Sequence, residues 1–472
     1  MSLRWWSLLL MVALGLVACG GEKAKTPEPS GTASAARASP TARTSLPPSA
    51  TPYPPPSPTL FPTVPPTASP EPTEAPIIPE ATPIPPEHLL GVFVVPADGN
   101  GQPVKYAEDG SVAGWSPDGT LIALTALDPD QSGCMIAPAA CFDELSLIWA
   151  DGPLQPLSLG DAQSPMWSAR ENRLLFYRLT RGPFTTPSGH TFTGITAKEI
   201  CVADAATGET TVLASMGPMI EVDDQGTIKR VAAFFDSPAW SPDESRVLFD
   251  FGEAGASSLY VVRADGSEPP VKLADGSTFA ADWSPDGKQI VYSWEGQIYI
   301  VAADGSEPPR QLAAGREPDW SPDGSRIAFI DETSTASEIW LLDPETGESE
   351  KLADTGLPAY SSPTVVWSPD GSVILFVGRD GIYSVAPDGR APPTKLADGG
   401  FPEWSPDGKR VAFMRGFMRP DGALSKSQLL VVNADGSDLT LLVDDLTATC
   451  VGYAWSPDSQ RIAFHAVYCP LS

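Results

Sequence analysis

"DWSPDGKQIVYSWEGQIYIVAADGSEPPRQLAAG", residues 282–315, holds one complete structural unit, and its phrase Trp-Ser-Pro-Asp-Gly recurs to the end of the chain. Proline fixes the backbone at the second position of a turn, aspartate is tolerated at the third and glycine at the fourth, so the phrase is a tight β-turn. Two apolar runs follow, 289–294 and 297–302, then an Asp-Gly turn and a short run ending Gln311-Leu312-Ala313. Four short strands joined by tight turns form an antiparallel meander. The middle two are apolar almost throughout instead of alternating, which is expected when both faces of a sheet are covered. Sheets must therefore stack on sheets.

Copies begin at Trp115, Trp167, Trp240, Trp283, Trp320, Trp367, Trp404 and Trp455. The second is degenerate (Trp-Ser-Ala-Arg), and Glu244 and Ser459 replace the glycine in two others. Units of 37 to 73 residues with four strands each and no helical pattern predict an all-β fold, a β-propeller whose radial repetition leaves only short protected edges. Eight copies predict eight four-stranded blades. The last copy supplies only two strands, and residues 88–107, "HLLGVFVVPADGNGQPVKYA", supply the other two. One blade is then closed by both chain ends. A count of seven follows instead if 167–238 does not hold two ordinary blade boundaries.

The unit "WSPDGKQIVYSWEGQIYIVAADGSEPPRQLA" resembles the repeat of TolB-type, WD-like propellers, over roughly residues 88–472. Such propellers occur in bacterial envelope proteins and in the N-terminal halves of prolyl-oligopeptidase-type enzymes. The resemblance implies the fold and says little about function. Eight blades would also depart from the six usual for TolB, so no specific partner carries over.

Residues 1–19, "MSLRWWSLLLMVALGLVAC", pair Arg4 with an apolar run too short to span a bilayer permanently, and read as an export signal. The run closes on Leu16-Val17-Ala18-Cys19-Gly20, which resembles the lipobox of bacterial lipoproteins. That resemblance implies lipidation at Cys19 and anchoring to the outer surface of the cytoplasmic membrane or to an outer membrane; Gly20 favours the latter where two membranes exist. Residues 20–87 are rich in Pro, Thr and Ser, with too little apolar surface to offset ordering entropy. They predict a disordered tether reaching up to roughly 200 Å at polyproline rise.

The net charge is −29, and the tether carries little of it. An acidic folded part repels phosphate backbones, so nucleic acid is excluded as a partner and basic protein segments are favoured. The chain has no Gly-x-Ser-x-Gly elbow and only three histidines, His88, His190 and His465, none at metal-ligand spacing. No catalytic or metal residues are assigned on this basis, and no cofactor. "DPDQSG" places Asp128, Asp130 and Ser132 like the start of a calcium loop, but Ala139 stands where an EF-hand needs glutamate; a polar loop tip is the default reading. The turn aspartates read as caps on local backbone donors, and the motif tryptophans as packing between blades.

Exported cysteines meet oxidising conditions, so Cys134 with Cys141 and Cys450 with Cys469 are candidate disulfides, with free thiols as the alternative and Cys201 left as a buried apolar residue.

In such a blade the Ser-Pro-Asp-Gly and Ala-Asp-Gly turns share one face. On the other, connections range from the minimal 294–297 to long stretches at 127–145, 179–198, 215–238 and 415–427. Function is expected on variable loops over a rigid scaffold. These stretches carry Phe142, Phe184, His190, Phe192, Phe234 and Phe235, read here as a wall beside the channel mouth. Asp282, Asp319 and Glu403, each directly before a motif tryptophan, would add negative potential for a basic segment of a partner. The expected function is a monomeric, lipid-anchored, non-enzymatic envelope scaffold that recognises a protein or peptide. A glycan- or cell-wall-binding module is the alternative; a hydrolase or lyase with an unrecognised site comes third.

Overall fold

The computed structural model describes residues 91–467 except 109, 128–142, 151–155, 186–190, 217–219, 223–227, 234–237, 254–255, 277–279, 334–335, 359–363, 419–423 and 447–449. Among these, every regular element is a strand and every strand pairing is antiparallel. Four sheets have four strands each in simple sequence order, led by the strands ending at Trp283, Trp320, Trp367 and Trp404.

The first two copies are fused into one seven-stranded sheet. Its strand Leu157–Trp167 pairs with Asp143–Trp149 through its first half and with Arg173–Thr185 through its second. One strand thus closes one meander and opens the next. The Trp240 sheet contains Ala239–Trp240, Arg246–Glu253, Ala256–Arg263 and Val271–Asp275, with an added hairpin of Ile220–Val222 and Ile228–Ala233.

The remaining sheet is built from both ends of the described chain. Its order is Val104–Ala107, Gly91–Pro96, Arg461–Val467, Cys450–Trp455. Gly91 pairs with Ala466 and Pro96 with Arg461, and the rings of Phe93 and Phe464 stack 5.3 Å apart. Closure by shared strands is therefore a property of the pairing.

Both faces of the middle strands are buried, as the unbroken apolar runs require: Ile290 and Val291 are fully enclosed, and so are Ile327 and Ala328. Each face packs on a neighbouring sheet. Phe176 and Leu145 share one buried cluster at the first boundary, Phe249 and Tyr177 another at the second, and Phe413 and Leu375 a further one. The series returns to its start, because Val92, Val94 and Ala463 of the shared sheet pack against Trp115, Ile122 and Leu124. A buried side chain of this size contributes about 1.5–3 kcal/mol, so these boundaries hold the meanders together.

The turns repeat atom by atom. Ser284 Oγ donates to Asp286 Oδ1 at 2.7 Å, the Gln289 amide donates to Ser284 Oγ at 2.9 Å, and the Gly287 amide donates to the Ser284 carbonyl at 2.8 Å. In the equivalent turn, Ser368 and Ser372 hold the Asp370 carboxyl down to about 2. Neighbouring turns also touch. A methyl group at Gly287 would lie 3.7 Å from Pro242, one at Gly371 3.5 Å from Pro322, and one at Gly119 3.8 Å from Pro457.

Two departures from the phrase occur side by side. The second copy lacks its aspartate, and Glu244 of the third supplies the missing acceptor: Ser168 Oγ donates to its Oε2 at 2.7 Å and the Ala169 amide to its Oε1 at 2.8 Å. Glu244 holds φ at 60° to do so, where its own copy would otherwise carry glycine. Ser459, at φ 61°, accepts the Asp407 amide on its Oγ at 3.1 Å in the same way.

Candidate functional site

The innermost strand of each meander ends at its tryptophan, and these residues bind each other across the sheet boundaries. Trp115 Nε1 donates to the Ala454 carbonyl, Trp167 Nε1 to Gly114, Trp367 Nε1 to Asp319 and Trp455 Nε1 to Glu403, at 3.1 to 3.3 Å. Each accepting residue directly precedes the tryptophan of the previous meander. Guanidinium groups lie over three of the indoles: Arg461 on Trp115, Arg173 on Trp240 and Arg410 on Trp455.

That geometry gives the acids before the tryptophans a different place from the one expected. Asp282 Oδ2 accepts the Trp320 backbone amide at 2.9 Å, and the Trp455 amide donates to Glu403. Burial pushes the Glu403 carboxyl up to about 8, so it is largely protonated at neutral pH, and its Oε2 has no partner among the described residues. Asp319 is 6% exposed. Asp282 and Glu403 are half-buried, and the hydrogen bonds they make run along the sheet boundaries. A carboxylate one residue before the tryptophan reaches the next inner strand, and at Asp282 and Glu403 it is consumed there.

On the opposite face, 179–198 and 415–427 contain long hairpin arms where open loops were expected. Arg173–Thr185 pairs with Thr191–Asp204 down to Thr185 opposite Thr191, after a bulge at Thr180/Arg181. Phe184 and Phe192 are direct cross-strand partners in this ribbon. Arg410–Met418 and Leu424–Asn433 form a second, shorter ribbon. The added hairpin of the third sheet is stitched to Arg246–Glu253 through Ala232 opposite Glu253 and Ala233 opposite Gly252. By contrast Trp294 and Gln297 close their hairpin directly.

At the root of the first ribbon lies a polar cluster with no signature in the phrase. Lys198 is 7% exposed; its Nζ donates to Gln163 Oε1 at 3.2 Å and lies 4.3 Å from the centre of the Tyr177 ring. Burial draws its pKa down to about 7, against an upward pull from Asp250. Next to it, Arg178 grips Glu199 Oε2 through two nitrogens at 2.9 and 2.7 Å. Cys201, on the same strand, is buried and free, and burial pushes its thiol up to about 12. The sequence signal was a lysine in "TAKEICVAD", between a ribbon and an apolar strand.

His465 is a seam residue. Its Nδ1 accepts the Val112 amide at 3.0 Å, and its ring covers Gly452, where a methyl group would lie 2.5 Å away. Cys450 begins a strand opposite Val467. Cys19, His88, Asp128, Asp130, Ser132, Cys134, Cys141, Phe142, His190, Phe234, Phe235 and Cys469 lie outside the described residues. Among those described, no three His, Cys, Asp or Glu side chains gather where they could hold a metal ion.

Residues 215–401 match the family model of the TolB beta propeller domain. The chain is 29% identical over 199 residues to the uncharacterized protein Atu1656 of Agrobacterium fabrum; the match covers 39% of this chain and 64% of that protein's length. Among solved structures it is similar to TolB from Acinetobacter baumannii (15% identity, 74% of this chain and 80% of that one, TM-score 0.35). It is also similar to a puromycin-hydrolyzing peptidase of Mycobacterium tuberculosis (15% identity, 71% and 53%, TM-score 0.45). Residues 215–401 of this chain are thus similar to the TolB beta propeller domain, and antiparallel sheets continue on both sides of that stretch.

Proposed function

We propose that the protein is a non-enzymatic scaffold of the bacterial envelope, an eight-bladed propeller lipid-anchored through Cys19, that captures a protein or peptide on its ribbon face. One observation carries this reading. The turn face repeats the same hydrogen bonds from meander to meander, whereas the opposite face bears a ribbon running from Arg173 to Asp204 and a hairpin added beside it. A rigid frame with one irregular face has the form of a recognition module. The envelope location rests on the export signal, the lipobox ending in Cys19 and the tether of residues 20–87.

The test is crosslinking in native envelopes with the full chain, comparing the natural protein with a variant carrying Phe184→Ser, Phe192→Ser and Phe235→Ser. Capture is expected to fall while the thermal midpoint stays put. Undiminished capture by that variant, with loss on altering the Ser-Pro-Asp-Gly turns, would place the partner on the other face.

A further inference from the structure

The hairpin of Ile374–Gly378 and Gly381–Val385 turns in two residues, Arg379 and Asp380. The preceding meander's hairpin, Ile327–Thr333 with Ala336–Leu342, has strands of seven residues against its five. Beside the short hairpin lies a recess of about 520 Å³, lined by Asp354, Gly356, Arg379, Asp380, Tyr383 and Pro393 among others. That volume is within the range of small-ligand sites, roughly 300–1,000 Å³.

Its charges are unequally engaged. Asp380 accepts the Tyr383 hydroxyl at 2.6 Å on one oxygen and Lys395 Nζ at 2.8 Å on the other. Asp354 accepts Lys351 Nζ at 2.6 Å. Both acids are therefore held by lysines outside the recess, each shared with a second carboxylate, Lys351 with Glu338 and Lys395 with Asp398, at 2.7 Å in both cases. Arg379 is fixed by its backbone, whose amide donates to the Thr355 carbonyl at 3.2 Å. Its guanidinium has no ion pair or hydrogen bond among the described residues. In the same lining the Tyr383 ring stacks on the buried Phe376 at 5.4 Å.

We infer that this recess binds the carboxylate of a small organic acid, with Arg379 as the two-pronged donor and Tyr383 and Pro393 against the body of the ligand. A planar guanidinium matches a carboxylate bidentately, and the ring and the proline offer apolar contact beside it. Such a carboxylate comes either from a peptide C-terminus or from an acidic sugar. The site lies on a different meander from the ribbon and does not depend on what the ribbon binds.

Titration calorimetry of the full chain with N-acetylphenylalanine, its primary amide and glucuronic acid tests this. At least one acid is expected to bind and the amide not to, with affinity falling as salt rises. The tighter acid names the source, chain terminus or sugar. Arg379→Gln should weaken binding by about tenfold or more, and Arg379→Lys by less, since it keeps the charge without the fork. Both variants retain the backbone bond to Thr355, and their thermal midpoints confirm folding. Binding of neither acid, equal binding of the amide, or undiminished binding by folded Arg379→Gln each overturns the inference.

Discussion

The two faces of this propeller are built from the same strands yet obey different constraints. On the turn face every Ser-Pro-Asp-Gly copy touches the next, so a change in one must be answered by its neighbour. Glu244 shows this directly, because it serves the turn of Ser168 more than its own. On the ribbon face a hairpin answers only to its own two strands. Trp294 and Gln297 can close at once while Arg173–Thr185 and Thr191–Asp204 run on. Uniformity is thus enforced around the ring, and variation is free where no neighbour is met.

The most severe way to break the comparison is to remove the closure that both faces share. Deleting residues 91–107 takes Val92, Phe93, Val94 and Val95, each at most 5% exposed, out of two sheet boundaries. At about 1.5–3 kcal/mol per side chain, that rivals the whole stability of a typical domain. It also strips Arg461–Val467 of a partner strand and leaves an edge open to other chains. The variant is expected to unfold or self-associate, read by sedimentation and urea titration. A monomer with an unshifted midpoint would show that the ring does not need its shared sheet.

A smaller change tests whether neighbouring turns are coupled. Glu244→Ala leaves Ser168 Oγ and the Ala169 amide without their acceptor and takes a carboxylate 3.5 Å from Arg173. Removing one partner from so enclosed a set should cost about 3 kcal/mol. The loss should spread to Ser168 and Glu171, seen as faster amide exchange in the second meander, although the substitution is in the third. Exchange confined to residues 241–246 would mean that the turns stand independently. The ribbon substitutions Phe184→Ser and Phe192→Ser supply the contrast, with no spread expected beyond their own hairpin.

The turn face was legible from the sequence because its information is local. Ser284, Pro285, Asp286 and Gly287 specify their geometry within four residues, and repetition makes the pattern visible. Closure was legible too, since the half-unit after Trp455 and the half-unit before Trp115 complement each other. The ribbon was not. Gly182, Pro183 and Gly194 interrupt its apolar pattern, and the strands persist through cross-strand pairing such as Phe184 with Phe192. The acids at 282 and 403 were visible as charges, but their partner is an amide one meander away, a relation that no spacing along the chain encodes. Arg379 carried no signal at all; it is singled out only by the ion pairs its neighbours make elsewhere.

The least of the expected effects separates the two seams of the shared sheet by pH. On one side Glu403 meets Trp455, with its carboxyl pushed up to about 8; on the other His465 accepts the Val112 amide, with its ring pushed down to about 4 by burial. The unfolded values are near 4.5 and 6.5. For His465 the folded value lies lower, so its contribution is complete above pH 6.5 and is lost as pH falls through 4. For Glu403 the folded value lies higher, so its contribution is complete below pH 4.5 and is lost as pH rises through 8. Each limb should amount to about 2 kcal/mol once the seam relaxes. Urea midpoints across this range should therefore lose the acid limb in His465→Gln and the alkaline limb in Glu403→Gln, since glutamine keeps an acceptor at either site without titrating. Were both limbs to survive both substitutions, the titration would belong to other groups, and the two seams would not differ in the way their geometry requires.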